Sequence, residues 1–236
     1  MDYFAFPRTQ GVFRAVLRFG RGFFKKEPCY IETINDINGD IVNLFRICRE
    51  YPEELAKLVN LTPFSREEFE NCYERSEDLI EQARRTLVRY HQSFGTCNAT
   101  KKSWRNVQQN GGPRTATMWN NLPGIIVEVC SRLKDAQIEN TDALTLIDRY
   151  NDKKTLIYCD PPYILSTRKK DMYQYEMTDA EHLELIERLN KSSSMIVLSG
   201  YENELYDYYL REWNKDSIET TAQFGKKRIE TIWINF

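Results

Sequence analysis

Histidine is nearly absent, with only His91 and His182 in 236 residues, and the six cysteines (Cys29, Cys48, Cys72, Cys97, Cys130, Cys159) include no CxxC pair. That leaves too few spaced ligands for a structural zinc site, and no metal site is expected. In a reducing compartment these cysteines read as small apolar core residues. No apolar run approaches the roughly 18 residues that a membrane helix needs, so no membrane partner is expected. No signal peptide is expected, because Arg8, Arg14 and Arg18 interrupt the short apolar stretches of the N-terminus. Repeats and low-complexity tracts are lacking too. With 41% hydrophobic and 29% charged residues, the chain reads as a cytoplasmic globular protein, either one domain or a catalytic domain with an insert. His91 and His182 read as surface or cap residues, and Trp213 and Trp233 as core.

The formal net charge of -2 hides an uneven distribution. Acidic residues dominate from Glu50 to Glu81, whereas Gln82 to Val127 holds seven Lys or Arg and no Asp or Glu. Arg84, Arg85, Arg89, Lys101, Lys102, Arg105 and Arg114 are interleaved there with the amide-rich Asn106 to Asn110 and with Trp104 and Trp119. Cations position a protein on phosphates, and amides read base edges, so this stretch suits a nucleic-acid partner. Arg84, Arg89, Lys101, Lys102, Trp104, Arg105 and Arg114 are the candidate nucleic-acid-binding residues. A solvated basic face is the competing reading.

Hydrophobic spacing predicts a strand at Cys29 to Ile34, then a turn and a helix from Asp40 to Arg49 with Ile41, Leu44, Phe45 and Cys48 on one face. Ser65 with Glu68 three residues on is a capping box, and a single helix is expected from there to about Gln92. Gly95 to Pro123 reads as irregular, ending in a helix from about Gly124 to Leu133. The second half alternates: strands at Gln137 to Glu139, Thr155 to Cys159 and Met195 to Ser199, with a helix from Thr178 to Leu189 capped by Thr178 and Glu181. Such a βαβ rhythm predicts an α/β fold with a mostly parallel sheet. Ser217 to Phe224 and Arg228 to Asn235 form a terminal hairpin through Gly225-Lys226-Lys227. The expected organisation is residues 1–50 and 135–236 forming one α/β domain, with 51–134 inserted as a mainly helical recognition region.

The sharpest motif is Asp160-Pro161-Pro162-Tyr163, directly after the apolar run Leu156-Ile157-Tyr158-Cys159. Four specified residues arise by chance in about one chain per thousand of this length. Open α/β sheets bind ligands at the carboxyl ends of their strands, where this tetrapeptide falls. Two prolines fix φ and remove two backbone donors, which makes a stiff turn whose carbonyls can accept from a ligand. An aspartate beside such a carbonyl gives two acceptors, matching the two N–H donors of an adenine or cytosine amino group. The tyrosine supplies a stacking face. Taken alone, the motif leaves amino groups of RNA, protein or small molecules open as substrates.

With these motifs the chain, from about Phe23 onward, resembles the S-adenosylmethionine-dependent adenine-specific DNA methyltransferases whose recognition region lies between the cofactor and catalytic halves. The resemblance also rests on Glu32-Thr-Ile-Asn-Asp-Ile-Asn-Gly-Asp40, Asn140-Thr-Asp142-Ala, Glu176-Met-Thr-Asp-Ala-Glu-His182, Leu198-Ser-Gly-Tyr201 and Arg228-Ile-Glu-Thr-Ile-Trp-Ile-Asn235. It implies a Rossmann-like methyltransferase sheet, S-adenosylmethionine as cofactor and double-stranded DNA as partner. Asp160 and the Pro161 carbonyl, braced by Pro162, hold the target amino group, and Tyr163 stacks on the extruded base. Asp36 accepts from the cofactor ribose, and Asp142 meets the amino group of the cofactor adenine. Taken as isolated residues, Asp36 could form an Asx turn and Asp142 could cap the helix at Ala143. The resemblance also leaves room for a restriction endonuclease partner and for action as a monomer. Rival readings are an amino-methyltransferase of cytosine or RNA, and an impaired remnant that only binds DNA.

The family's Gly-Gly-Lys start and its glycine-rich turn, roughly Pro-Phe-x-Gly-x-Gly, are missing before Phe23. Only Gly20 and Gly22 are left for the close backbone approach to the cofactor that such a turn provides. Arg14 to Phe24 can be written in allowed codons that, read from the second base, spell Glu-Pro-Tyr-Phe-Gly-Ser-Gly-Ala-Val-Phe. The missing turn is therefore expected in another reading frame of Met1 to Gly22, with ordinary divergence or a different start as the competing reading. On the frame-shift reading the chain as written is expected to bind the cofactor weakly or not at all.

Overall fold

The computed structural model describes residues 11–15, 28–93, 103–106, 115–168, 175–221 and 227–236. They fall into two compact units, one spanning Asn38–Asp135 and the other holding the described residues up to Ile37 and all of those from Ala136 onward.

The second of these units is built on a seven-stranded sheet. Its strands are β1 (Gly11–Ala15), β2 (Ile31–Asn35), β3 (Ala136–Glu139), β4 (Thr155–Cys159), β5 (Met195–Tyr201), β6 (Asn214–Thr221) and β7 (Lys227–Ile234), in the order β3-β2-β1-β4-β5-β7-β6. Pairings among the first five are parallel, and β7 joins β5 and β6 antiparallel. The order 3-2-1-4-5 reverses its direction between β1 and β4, a switch point of the kind that opens a ligand crevice in doubly wound sheets. The expected mixed α/β fold is therefore present, with its terminal hairpin. Gly11–Ala15, for which the periodicity shows no strand, fills the central position, paired to β2 on one side and β4 on the other.

Strand alternation sends successive side chains to opposite faces. Ile157, Cys159, Ile196, Leu198 and Trp233 enter one cluster with Leu146 and Ile147 of the helix Ala143–Arg149, and Leu185, Ile186 and Leu189 of the helix Asp179–Lys191. Leu156, Val197 and Ile232 form the cluster on the opposite face. The Thr178–Glu181 capping box opens Asp179–Lys191 as its sequence predicts: the Glu181 backbone N–H donates to Thr178 Oγ1, and the Thr178 N–H to Glu181 Oε2.

His182 corrects its reading as a surface or cap residue, since it is fully buried and its Nδ1 shares a 2.8 Å hydrogen bond with Tyr206 Oη. The amphipathic spacing brings position 182 onto the same inward face as Leu185, Ile186 and Leu189. Trp233 is core, whereas Trp213 is half-buried.

The helical unit packs Gly39–Glu50 against Leu79–Gln92 and Leu122–Leu133, and Pro52–Leu61 against Leu122–Leu133. The helix Gly39–Glu50 thus groups with the helical unit, Asn38–Asp135, and not with the residues before it. The single helix expected from Ser65 to Gln92 is two, Arg66–Asn71 and Leu79–Gln92. A turn with its own side-chain partners separates them: Asp78 Oδ1 accepts from the Ile80 and Glu81 N–H groups, and Gln82 Oε1 accepts from the Ser76 N–H. Pro52 opens a helix at its first position, where a missing N–H costs nothing. No helix among the described residues is long and apolar enough to cross a membrane.

Candidate active site

Parallel strands bring their carboxyl ends to one edge of the sheet. Asp36 follows β2, Asp142 follows β3, Asp160 follows β4, and Tyr201 ends β5. The sheet, not the chain, gathers these residues, which lie far apart in sequence.

At the end of β4, Pro161, Pro162 and Tyr163 are buried and Asp160 is half-buried. The Tyr163 ring, 8% exposed, meets the Tyr201 ring edge-on at 4.5 Å between centroids and 68° between planes. Aromatic pairs favour this geometry, and it gives the tyrosine a defined orientation. Ser199 Oγ, buried in β5, lies 2.9 Å from Asp160 Oδ1 and 3.2 Å from the Cys159 carbonyl. Leu198-Ser-Gly-Tyr201 is part of the family resemblance, but the contacts of Ser199 with Asp160 and of Tyr201 with Tyr163 are not legible in a single sequence, because each forms only across paired strands. Beside Asp160, burial and then the aspartate itself push the Cys159 thiol up to about 12. A thiol held protonated in this way is no nucleophile.

On the other side of the switch point Asp36 is 5% exposed. Its backbone carbonyl accepts from Asn140 Nδ2 at 2.8 Å, while Asn35 and Thr141 exchange two hydrogen bonds of 3.0 Å. These contacts tie the end of β2 to the loop after β3. Asn38 caps the following helix, its side chain accepting from the Asp40 N–H. Asp142 is exposed and caps Ala143–Arg149, its Oδ1 accepting from the Leu144 and Thr145 N–H groups. Gly20 and Gly22 lie outside the described residues. No cluster of His, Cys, Asp or Glu among the described residues is arranged to hold a metal ion.

The candidate DNA-binding residues separate into two groups. Arg84 donates to both oxygens of Glu81 and to Glu68 at 2.6–2.7 Å, and to Thr62 Oγ1 at 3.0 Å. Arg85 joins Glu81 at 2.7 Å, and Arg89 pairs with Asp40 at 2.9 Å. Arg84 and Arg89 are thereby tied within the helical unit, Arg84 by Glu81 on its own helix and by Glu68, and Arg89 by Asp40. The hydrogen bond from Arg84 holds the Glu81 carboxyl below its ordinary range against the opposing effect of burial, and Arg85 adds to it.

Trp104 is half-buried, with the Phe64 ring at 5.6 Å, the Arg66 guanidinium 4.9 Å over its ring, and Nε1 donating to Gln92 at 3.4 Å. The Arg105 N–H donates to the Gln92 carbonyl at 2.7 Å, so the segment 103–106 is pinned to the end of the helix Leu79–Gln92. Trp119 is buried, donating to the Thr62 carbonyl at 2.7 Å. Lys101, Lys102 and Arg114 lie outside the described residues.

A mixed α/β chain with an Asp-Pro-Pro-Tyr turn on the carboxyl edge of its sheet has the build of an amino-methyltransferase. The family model of the D12 class N6 adenine-specific DNA methyltransferases matches residues 20–224, and the chain belongs to that family. It is an adenine-specific DNA methyltransferase. No curated protein matches the chain significantly.

Proposed function

We propose that the chain transfers a methyl group from S-adenosylmethionine to the exocyclic N6 of an adenine within a specific duplex DNA sequence. The observation that carries this reading is the rigid turn Asp160–Tyr163 on the carboxyl edge of the sheet beside the switch point. The residues there suit the cofactor. A buried carboxylate at the end of β2, Asp36, stands where dinucleotide folds accept ribose hydroxyls. Asp142 still offers its second carboxylate oxygen while Oδ1 caps the helix. When bound, S-adenosylmethionine supplies an electrophilic methyl on a positively charged sulfur.

The amino nitrogen of adenine is a poor nucleophile, because its lone pair is drawn into the ring. Asp160 and the Pro161 carbonyl accept its two N–H donors and favour a pyramidal nitrogen, which localises that pair. No strong base is needed before transfer; the nitrogen, cationic once it carries the methyl, gives one of its two protons to Asp160 and on to solvent, and positioning does most of the remaining work. Tyr163 offers its face to the extruded base, and Tyr201 holds the ring. DNA is held by the basic stretch of the helical unit, with Lys101, Lys102, Arg105 and Arg114 on phosphates.

The test is transfer of labelled methyl to duplex DNA, followed by digestion to nucleosides. Label in N6-methyladenine is expected. Label in N4-methylcytosine, or a preference for RNA, would overturn the assignment.

A further inference from the structure

We infer that Ser199 is a positioning residue that sets the orientation of the Asp160 carboxylate. The inference rests on the proposed role of Asp160 as acceptor for the target amino group. Rotation of an aspartate carboxylate about its last torsion is broad, without sharp staggered wells. A carboxylate that must meet one N–H along a lone-pair direction therefore needs an external hold.

Ser199 supplies one. It belongs to β5, paired to β4 on one side, where Leu198 faces Cys159, and to β7 on the other, where Ser199 itself faces Ile232. The ladder to β7 fixes its backbone, one residue past the end of the ladder to β4, and the residue is 3% exposed. Its single hydroxyl proton has two acceptors in reach, Asp160 Oδ1 at 2.9 Å and the Cys159 carbonyl at 3.2 Å. The shorter bond is to the charged acceptor, where hydrogen bonds are stronger. With Oδ1 engaged, the plane of the carboxylate is set from the neighbouring strand. Sequence carries no hint of this, since the two residues are 39 positions apart.

Steady-state kinetics of the full chain test the inference, with Ser199→Ala, Ser199→Thr and Ser199→Cys beside Asp160→Ala. Ser199→Ala is expected to lower kcat by about 10- to 100-fold, the scale of misplaced reacting groups. KM for DNA and for S-adenosylmethionine should stay within about twofold. Ser199→Thr keeps the hydroxyl and suits a strand, so it should restore most of kcat. Ser199→Cys keeps the volume but not the strong donor, and should not. A second readout is independent of turnover: NMR titration of carboxyl-labelled aspartate, with the Asp160 signal assigned by its loss in Asp160→Ala. Removing a donor to the charged form should move the Asp160 midpoint upward in Ser199→Ala and Ser199→Cys, but not in Ser199→Thr. Unchanged kcat and midpoint in Ser199→Ala, or equal losses in the threonine and alanine variants, would overturn the inference. Full activity in Asp160→Ala would instead remove the reading of Asp160 on which it rests.

Discussion

Tyr163 has two neighbours to serve, the base it is proposed to stack on and the Tyr201 ring it already meets. Tyr163→Ala should weaken capture of the target base by about 1–3 kcal/mol, the worth of one base–aromatic stack. Fluorescence of a 2-aminopurine placed at the target position measures this, and an unchanged signal rules out the stacking role. His182 makes a different prediction, about pH. Burial, with Arg168 nearby, drives its pKa down from 6.5 to about 4, although Asp179, Glu181 and Glu176 act the other way. The unfolded chain therefore binds a proton between about pH 6.5 and 4 that the folded chain refuses. Stability should be fully present above pH 6.5 and fall as the pH drops toward 4, by up to about 3 kcal/mol for this one group. Urea denaturation across that range, compared with His182→Gln, should show a shallower loss in the variant. Parallel curves would mean that His182 does not titrate differently on folding.

The arginines of the helix Leu79–Gln92, read from the sequence as contacts to phosphates, are also paired within the protein, with the acids Asp40, Glu68 and Glu81. Arg84→Gln should leave DNA affinity within about twofold and lower stability by about 1–2 kcal/mol, because Glu68 and Glu81 lose a well-shielded partner. Thermal melts and filter binding measure the two together, and a large loss of DNA affinity with unchanged stability would return Arg84 to the interface. At the other end of the chain, the family match begins at residue 20 and leaves Gly11–Ala15, the central strand, outside it. The coding DNA decides whether Met1 to Gly22 is read in a shifted frame. Codons for Arg14 to Phe24 compatible with Glu-Pro-Tyr-Phe-Gly-Ser-Gly-Ala-Val-Phe from the second base are expected, and incompatible codons end the idea.

For the whole molecule the outstanding quantity is the salt dependence of DNA binding. Neutralising Lys101, Lys102 and Arg105 together should weaken binding to all sequences and flatten the log–log salt slope by about 0.9 for each phosphate left without its cation. An unchanged slope would take those residues off the phosphates. The sequence by itself determined the chemistry and the class. The Asp160–Tyr163 turn, the βαβ rhythm of the second half and the Thr178 capping box are local patterns, and local patterns survive in one dimension. It also marked the basic stretch, but not which of its cations are neutralised within the protein, because Arg84 and Arg89 find acids up to 49 positions away. Only the tertiary structure decided that, as it decided the burial of His182, the central place of Gly11–Ala15 and the contact of Ser199 with Asp160. Each depends on which strands become neighbours or which helix faces meet. That choice is settled by the packing of the whole core, and no window of sequence contains it.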